Sequence, residues 1–154
     1  MTGKIDARLA ELGLTLPDAP APAANYVPAV QSGNVLYVSG QISAGPEGLI
    51  TGKLGAGLST EDGAAAAKRC ALALIAQARA ACGGDLDRIA RVVKLVGFVN
   101  STAEFTEQPK VINGASDLMV QVFGDAGRHA RSAVSAASLP FGVAVEVEAI
   151  FELV

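Results

Sequence analysis

A strand whose every second residue is apolar can bury only one face, and the C-terminal stretch of this chain has that form. Val143, Val145, Val147, Ala149, Phe151 and Leu153 fall on one side of an extended backbone, and Ala144, Glu146, Glu148, Ile150 and Glu152 on the other. The first face belongs to a core. The second sets Glu146 and Glu148 side by side on a surface that meets water or another subunit.

The rest of the chain divides around this strand. Ile5 to Leu12 has helical spacing, and Pro17 to Ala24, with three prolines, is an extended lead-in. Tyr26–Gln31 and Val35–Ser39 form a hairpin across Ser32-Gly33-Asn34, because Gly and Asn tolerate positive φ. Val35 to Val38 is continuously apolar and is expected to be covered on both faces. Gly40 to Leu58 is a glycine-rich loop, with room for an edge strand at 49–53. A helix from Thr60 to Ala81 opens on Glu61 and Asp62 and stops at Gly83-Gly84. Asp85–Ile89 is a turn, Arg91–Val99 a central strand, and Ala103–Val122 a second helix with Pro109 near its start. Ser132–Ala137, a turn at 139–142 and Val143–Leu153 complete the order β-β-α-β-α-β-β. This predicts an α+β domain over residues 1–154, with residues 1–20 as a helix and lead-in ahead of a mixed sheet covered on one face by two helices.

Composition bears on what covers the other face. The chain has 154 residues, of which 51% are hydrophobic and only 5% aromatic, and its mean hydropathy is +0.39. That is more apolar mass than one small core absorbs, which points to subunit contacts. The longest uncharged stretch, Ala19–Pro46, is interrupted by prolines and glycines and cannot be a membrane helix. A net charge of −3, with the basic residues dispersed, argues against a dedicated nucleic-acid binder. The first residues hold Asp6 and Glu11 and no hydrophobic signal core, so the expectation is a cytoplasmic protein. Cys70 and Cys82 lie on one helix about 18 Å apart, beyond disulfide reach. With one histidine and no Cys-x-x-Cys pair, no zinc-type set exists and no metal is expected.

Two side chains stand out. His129, in a Gly127-Arg128-His129-Ala130 loop, is expected to be a solvated surface histidine. Arg131 opens a strand within a run that is otherwise uncharged to Val145. A guanidinium there requires a carboxylate or phosphate partner. That partner is either Glu146 or Glu148 on a neighbouring strand, in a structural ion pair, or the anion of a ligand.

The residues Arg131-Ser132-Ala133-Val134, Leu139-Pro140 and Val145-Glu146-Val147-Glu148-Ala149-Ile150 resemble the C-terminal signature of the Rid family, the reactive intermediate deaminases also called YjgF-type or L-PSP proteins. Val38-Ser39-Gly40-Gln41 resembles the family's Ser-Gly-Gln turn, and the likeness runs from about Pro22 to the C-terminus. The resemblance implies a chorismate-mutase-like fold assembled as a homotrimer around a central barrel, with sites between subunits. It implies hydrolysis of 2-imino acids to 2-oxo acids and ammonia without metal or cofactor. In that reading Arg131 grips the substrate carboxylate and Glu146 orients or activates water. Gly40, Ala133 and Tyr26 add contacts, with Ser39 and Asn113 as further members. Ala133 stands where many members have cysteine, so only its backbone is available. Taken alone, Ser39 serves equally as a turn residue and Tyr26 as a strand residue packing on Tyr37. A non-catalytic trimeric carboxylate sensor is the alternative function, and the endoribonuclease activity attached to the L-PSP name is opposed by the acidic charge.

Overall fold

The structure, a computed structural model, describes residues 3–19 and 24–154. Part of the proline-rich lead-in, residues 20–23, lies outside the described residues, as does Pro22, where the family likeness begins. The C-terminal strand β5 (Val145–Leu153) carries the expected alternation: Val145, Val147, Ala149, Phe151 and Leu153 are all buried, while Glu146, Glu148, Ile150 and Glu152 are not. It lies at the centre of a five-stranded sheet with β1 (Ala29–Ser32), β2 (Val35–Ile42), β3 (Ile89–Asn100) and β4 (Ala130–Ala136), in the order β1-β2-β5-β3-β4. Both neighbours of β5 run antiparallel to it, and β4 runs parallel to β3.

Helices α2 (Thr60–Ala81) and α3 (Gln108–Phe123) link β2 to β3 and β3 to β4, and both pack on the apolar face of β5 and its neighbours. The start of α2 is a closed capping box: Ser59 Oγ accepts from the Asp62 amide and the Asp62 carboxylate from the Ser59 amide, each at 3.1 Å. Beyond its end Gly83 and Gly84 take positive φ. Helix α3 starts five residues later than the sequence suggests. Pro109 sits in its first turn, where a missing N–H costs nothing, so the chain before it stays non-helical.

Helix α1 (Lys4–Glu11) is fastened to the outside of this layer. The Asp87 carboxylate accepts from the Ile5 and Lys4 amides at 3.0 and 2.9 Å, which caps the helix and holds Asp87 below the usual carboxylate range. Arg8 Nε donates to the Gln121 carbonyl of α3 at 2.8 Å, and Leu9 is buried.

Three local expectations change. Tyr26 is not in β1 but in a bend before it, and is exposed. In place of an edge strand at 49–53 there are two short ladders, Ala44–Gly45 with Gly48–Leu49 and Lys53–Leu54 with Gly57–Leu58. Within one chain Val35–Val38 is covered on one face only: Leu36 and Val38 are buried, whereas Tyr37 is exposed. Cys70 and Cys82 are unbridged and buried, and burial pushes both thiols up. No described helix is long and apolar enough to cross a membrane.

The two large helices meet where side chains are smallest. A methyl group at Gly114 would collide with the Ala64 carbonyl, and one at Gly63 would come within 2.9 Å of Val111 Cγ2. Alanine is the better helix former by about 1 kcal/mol, yet backbone cannot give way here. Gly114→Ala is therefore expected to destabilise the fold by about 3 kcal/mol, read as a lower denaturant midpoint; a stabilised variant would show that the helices are not in this contact.

Candidate active site

On the strand β4 the residues Arg131, Ala133 and Ser135 share one face. Arg131 lies in register with Leu95 of β3, which lies opposite Ala149 of β5, so it faces the helix layer. There α3 presents Asn113 and Ser116, three residues apart on one helical face. Arg131 Nη1 donates to Asn113 Oδ1 at 2.7 Å and to Ser116 Oγ at 3.2 Å. Those bonds engage both N–H groups of Nη1. Nε and Nη2, the edge that matches a carboxylate's two oxygens, have no acceptor among the described residues.

The ion pair with Glu146 or Glu148 does not form. Strand β4 borders β3 alone, so the Arg131 strand and the glutamate strand are not neighbours. The ion pairs among the described residues join Arg8 to Glu11, Arg79 to Asp6, Lys110 to Glu107 and Arg128 to Asp125, and none includes Arg131. Its guanidinium lines an open hollow shared with Asn113, Ser116, Asp117 and His129.

Glu146 belongs to a second cluster, on the opposite face of the sheet. Its row across the strands runs Ile42, Glu146, Phe98, Val134, all on the face the helices leave bare. The ladder between β2 and β5 shifts between Val38 and Gln41. Gly40, in that bulge, rests against the glutamate: a Cβ there would lie 2.9 Å from Glu146 Cδ. Burial, and secondarily the charge of Glu148 two residues on, push the Glu146 carboxyl above the usual range. Ser39 lies beside Gly40, with its hydroxyl donating to the Pro28 carbonyl at 3.2 Å. Tyr26 is at the β1 edge, and Tyr26 and Tyr37 form no ring pair; the aromatic pair among the described residues is Phe123 with Phe151.

The seven candidate residues thus fall into two groups. Arg131, Asn113 and Ala133 are gathered at the β4 edge on the helix side, and Glu146, Gly40, Ser39 and Tyr26 lie towards β2 and the β1 edge. Two strand spacings, about 10 Å, and the thickness of the sheet separate Arg131 from Glu146.

The fold has known counterparts. Residues 6–153 match the family described as "YjgF/chorismate mutase-like, putative endoribonuclease". The chain belongs to the YjgF/L-PSP family, the group that includes the Rid proteins. The match begins inside α1, earlier than the sequence likeness from Pro22. Protein TCP17 of Trypanosoma cruzi is 56% identical over 99% of this chain and 96% of its own length. A crystal structure from Agrobacterium tumefaciens, of a protein of unknown function, is 50% identical with a TM-score of 0.89, covering 97% of this chain and 94% of its own. RidA from an Antarctic Psychrobacter is 31% identical with a TM-score of 0.58, covering 88% and 94%.

Two residues of the Arg131 cluster escape a motif-based reading. Ser116 belongs to no motif, and His129 is not a solvated side chain: it is half-buried, with Nε2 2.9 Å from Ser116 Oγ and Nδ1 2.7 Å from the Gly127 carbonyl. The available signal was spacing. His129 and Arg131 are two apart on an extended chain, as Asn113 and Ser116 are three apart on a helix.

The raised Glu146 carboxyl has a definite sign. A carboxylate whose folded pKa exceeds its unfolded one binds more protons when folded, so its contribution falls as pH rises from the unfolded value through the folded one. Carboxyl NMR of Glu146 is expected to titrate above ordinary glutamates and to move down in Glu148→Gln. An unchanged midpoint in that variant would remove Glu148 as a cause.

Proposed function

We propose that this protein hydrolyses 2-imino acids, and the enamines in equilibrium with them, to 2-oxo acids and ammonia. The observation that carries the reading is the Arg131 guanidinium, which is anchored by Asn113 and Ser116 through Nη1 and keeps its carboxylate-binding edge without a partner. A bidentate bond to the substrate carboxylate there fixes the adjacent imine carbon. Backbone groups at the β4 edge near Ala133, which one sheet leaves unpaired, supply further donors.

Glu146 takes the second role. As a base it accepts a proton from water while the water oxygen bonds to the imine carbon and the C=N π pair moves to nitrogen. Glu146 returns that proton to the nitrogen, giving a neutral carbinolamine; this collapses as Glu146 takes the hydroxyl proton, oxygen forms the C=O bond, the C–N bond breaks, and the second proton passes through Glu146 to the departing nitrogen, which leaves as ammonia. A carboxyl raised by burial suits this exchange, since it is a stronger base than an ordinary glutamate carboxylate.

One chain cannot bring Arg131 and Glu146 to the same substrate, because they occupy opposite faces. In this proposal a second copy supplies the missing half. The bare face, with Val30, Tyr37 and Val134 exposed, is the apolar surface over which copies associate as a homotrimer. Tyr26 and Ser39 then flank the substrate from the Glu146 side.

Imines generated by an amino-acid oxidase, with the remainder trapped by semicarbazide, test the reading. The wild type is expected to accelerate imine loss, and Arg131→Ala to lose about a hundredfold of that activity. Equal rates would refute the assignment. Saturable binding of 2-oxobutanoate without acceleration would instead favour a carboxylate-binding module.

A further inference from the structure

The contacts around His129 determine its proton. The Gly127 carbonyl can only accept, so at 2.7 Å Nδ1 carries the hydrogen, which in the neutral ring is the Nδ1–H tautomer. In that neutral tautomer Nε2 is an acceptor, and at 2.9 Å it accepts a hydrogen bond from the Ser116 hydroxyl. With its proton committed to His129, Ser116 Oγ presents lone pairs to Arg131 Nη1 at 3.2 Å. With the ring neutral, the direction of every bond in the chain Arg131, Ser116, His129, Gly127 follows from the carbonyl, which cannot donate.

We propose that Ser116 and His129 are positioning residues that hold Arg131 in its carboxylate-binding pose. This rests on the reading of Arg131 as a carboxylate anchor. A serine hydroxyl facing a guanidinium can turn its hydrogen toward the cation, which repels it, or its lone pairs, which attract it. His129 settles that choice by removing the hydrogen to the far side. Asn113 fixes the second hydrogen of Nη1, so the guanidinium plane is held at two points beside the hollow that Arg131 lines, and its Nε/Nη2 edge stays without an acceptor among the described residues.

The backbone is arranged to support this relay. The 3₁₀ turn Gly124–Gly127 is pressed onto α3, and a methyl group at Gly127 would collide with the Met119 carbonyl and come within 2.9 Å of Val120 Cα. Only a glycine lets the turn approach closely enough to set its carbonyl behind His129, one helical turn from Ser116. Asp117 and Arg128 line the same hollow, but neither pairs with Arg131, and Arg128 is engaged by Asp125 at 3.4 Å. The relay, not an ion pair, therefore orients the cation.

Calorimetric titration with 2-oxobutanoate, alongside imine-hydrolysis kinetics, tests the assignment. Ser116→Ala and His129→Leu are expected to weaken binding and raise KM by about tenfold. Their kcat should change less and their melting temperatures should be unaltered, and Ser116→Thr, which keeps the hydroxyl, should restore affinity. Nitrogen NMR should show the Nδ1–H tautomer of His129. Wild-type affinity in Ser116→Ala, or a dominant Nε2–H tautomer, would overturn the relay while leaving Arg131 as the anchor. A wild type that binds no 2-oxo acid and hydrolyses no imine would overturn the anchor reading, and the relay's role with it.

Discussion

The central strand β5 has two incompatible faces, and the rest of the molecule is organised around that constraint. Val145, Val147, Ala149, Phe151 and Leu153 require a cover, which α2 and α3 provide by packing together at Gly63, Ala64 and Gly114. Each of the buried valine, phenylalanine and leucine side chains contributes about 1.5–3 kcal/mol. A register slip of one residue would place three glutamates under the helices instead. The fold and the exposure of Glu146 are thus fixed by one alternating pattern.

The same constraint gives the proposed chemistry its geometry. Because the helices claim one face, Arg131 on the β4 edge is held by α3, while Glu146 stays on the bare face with Gly40 against it. The arginine requires a firm, partly polar support, and helix α3 offers Asn113 and Ser116 at matching heights. The glutamate benefits from partial desolvation, and the bulge at Gly40 provides it. Copies that hide their apolar faces against one another would carry these halves together, so association and chemistry would depend on the same surface.

Much of this is legible in the sequence because it is local. The alternation of β5, the Thr60-Glu61-Asp62 start of α2 and its Gly83-Gly84 stop are short-range signals, and they place those elements to within a residue or two. What is not legible depends on strand order. Arg131 and Glu146 look like neighbours when only β4 and β5 are considered, and the insertion of β3 between them is a property of the crossover through α3. Tyr26 reads as strand because the hairpin's hydrophobic run does not show where pairing with β2 ends. His129 reads as solvated because its two partners, Ser116 and Gly127, come from a helix and a turn that meet only in the folded chain.

Subunit mixing tests the central claim, that the site is completed between copies, most directly. Arg131→Ala and Glu146→Gln, each inactive alone in imine hydrolysis, would be unfolded and refolded together, with mass analysis confirming mixed oligomers. The account predicts that the mixture regains part of the wild-type activity, because some interfaces then join an intact Arg131 to an intact Glu146. Mixed oligomers as inactive as their components would contradict it.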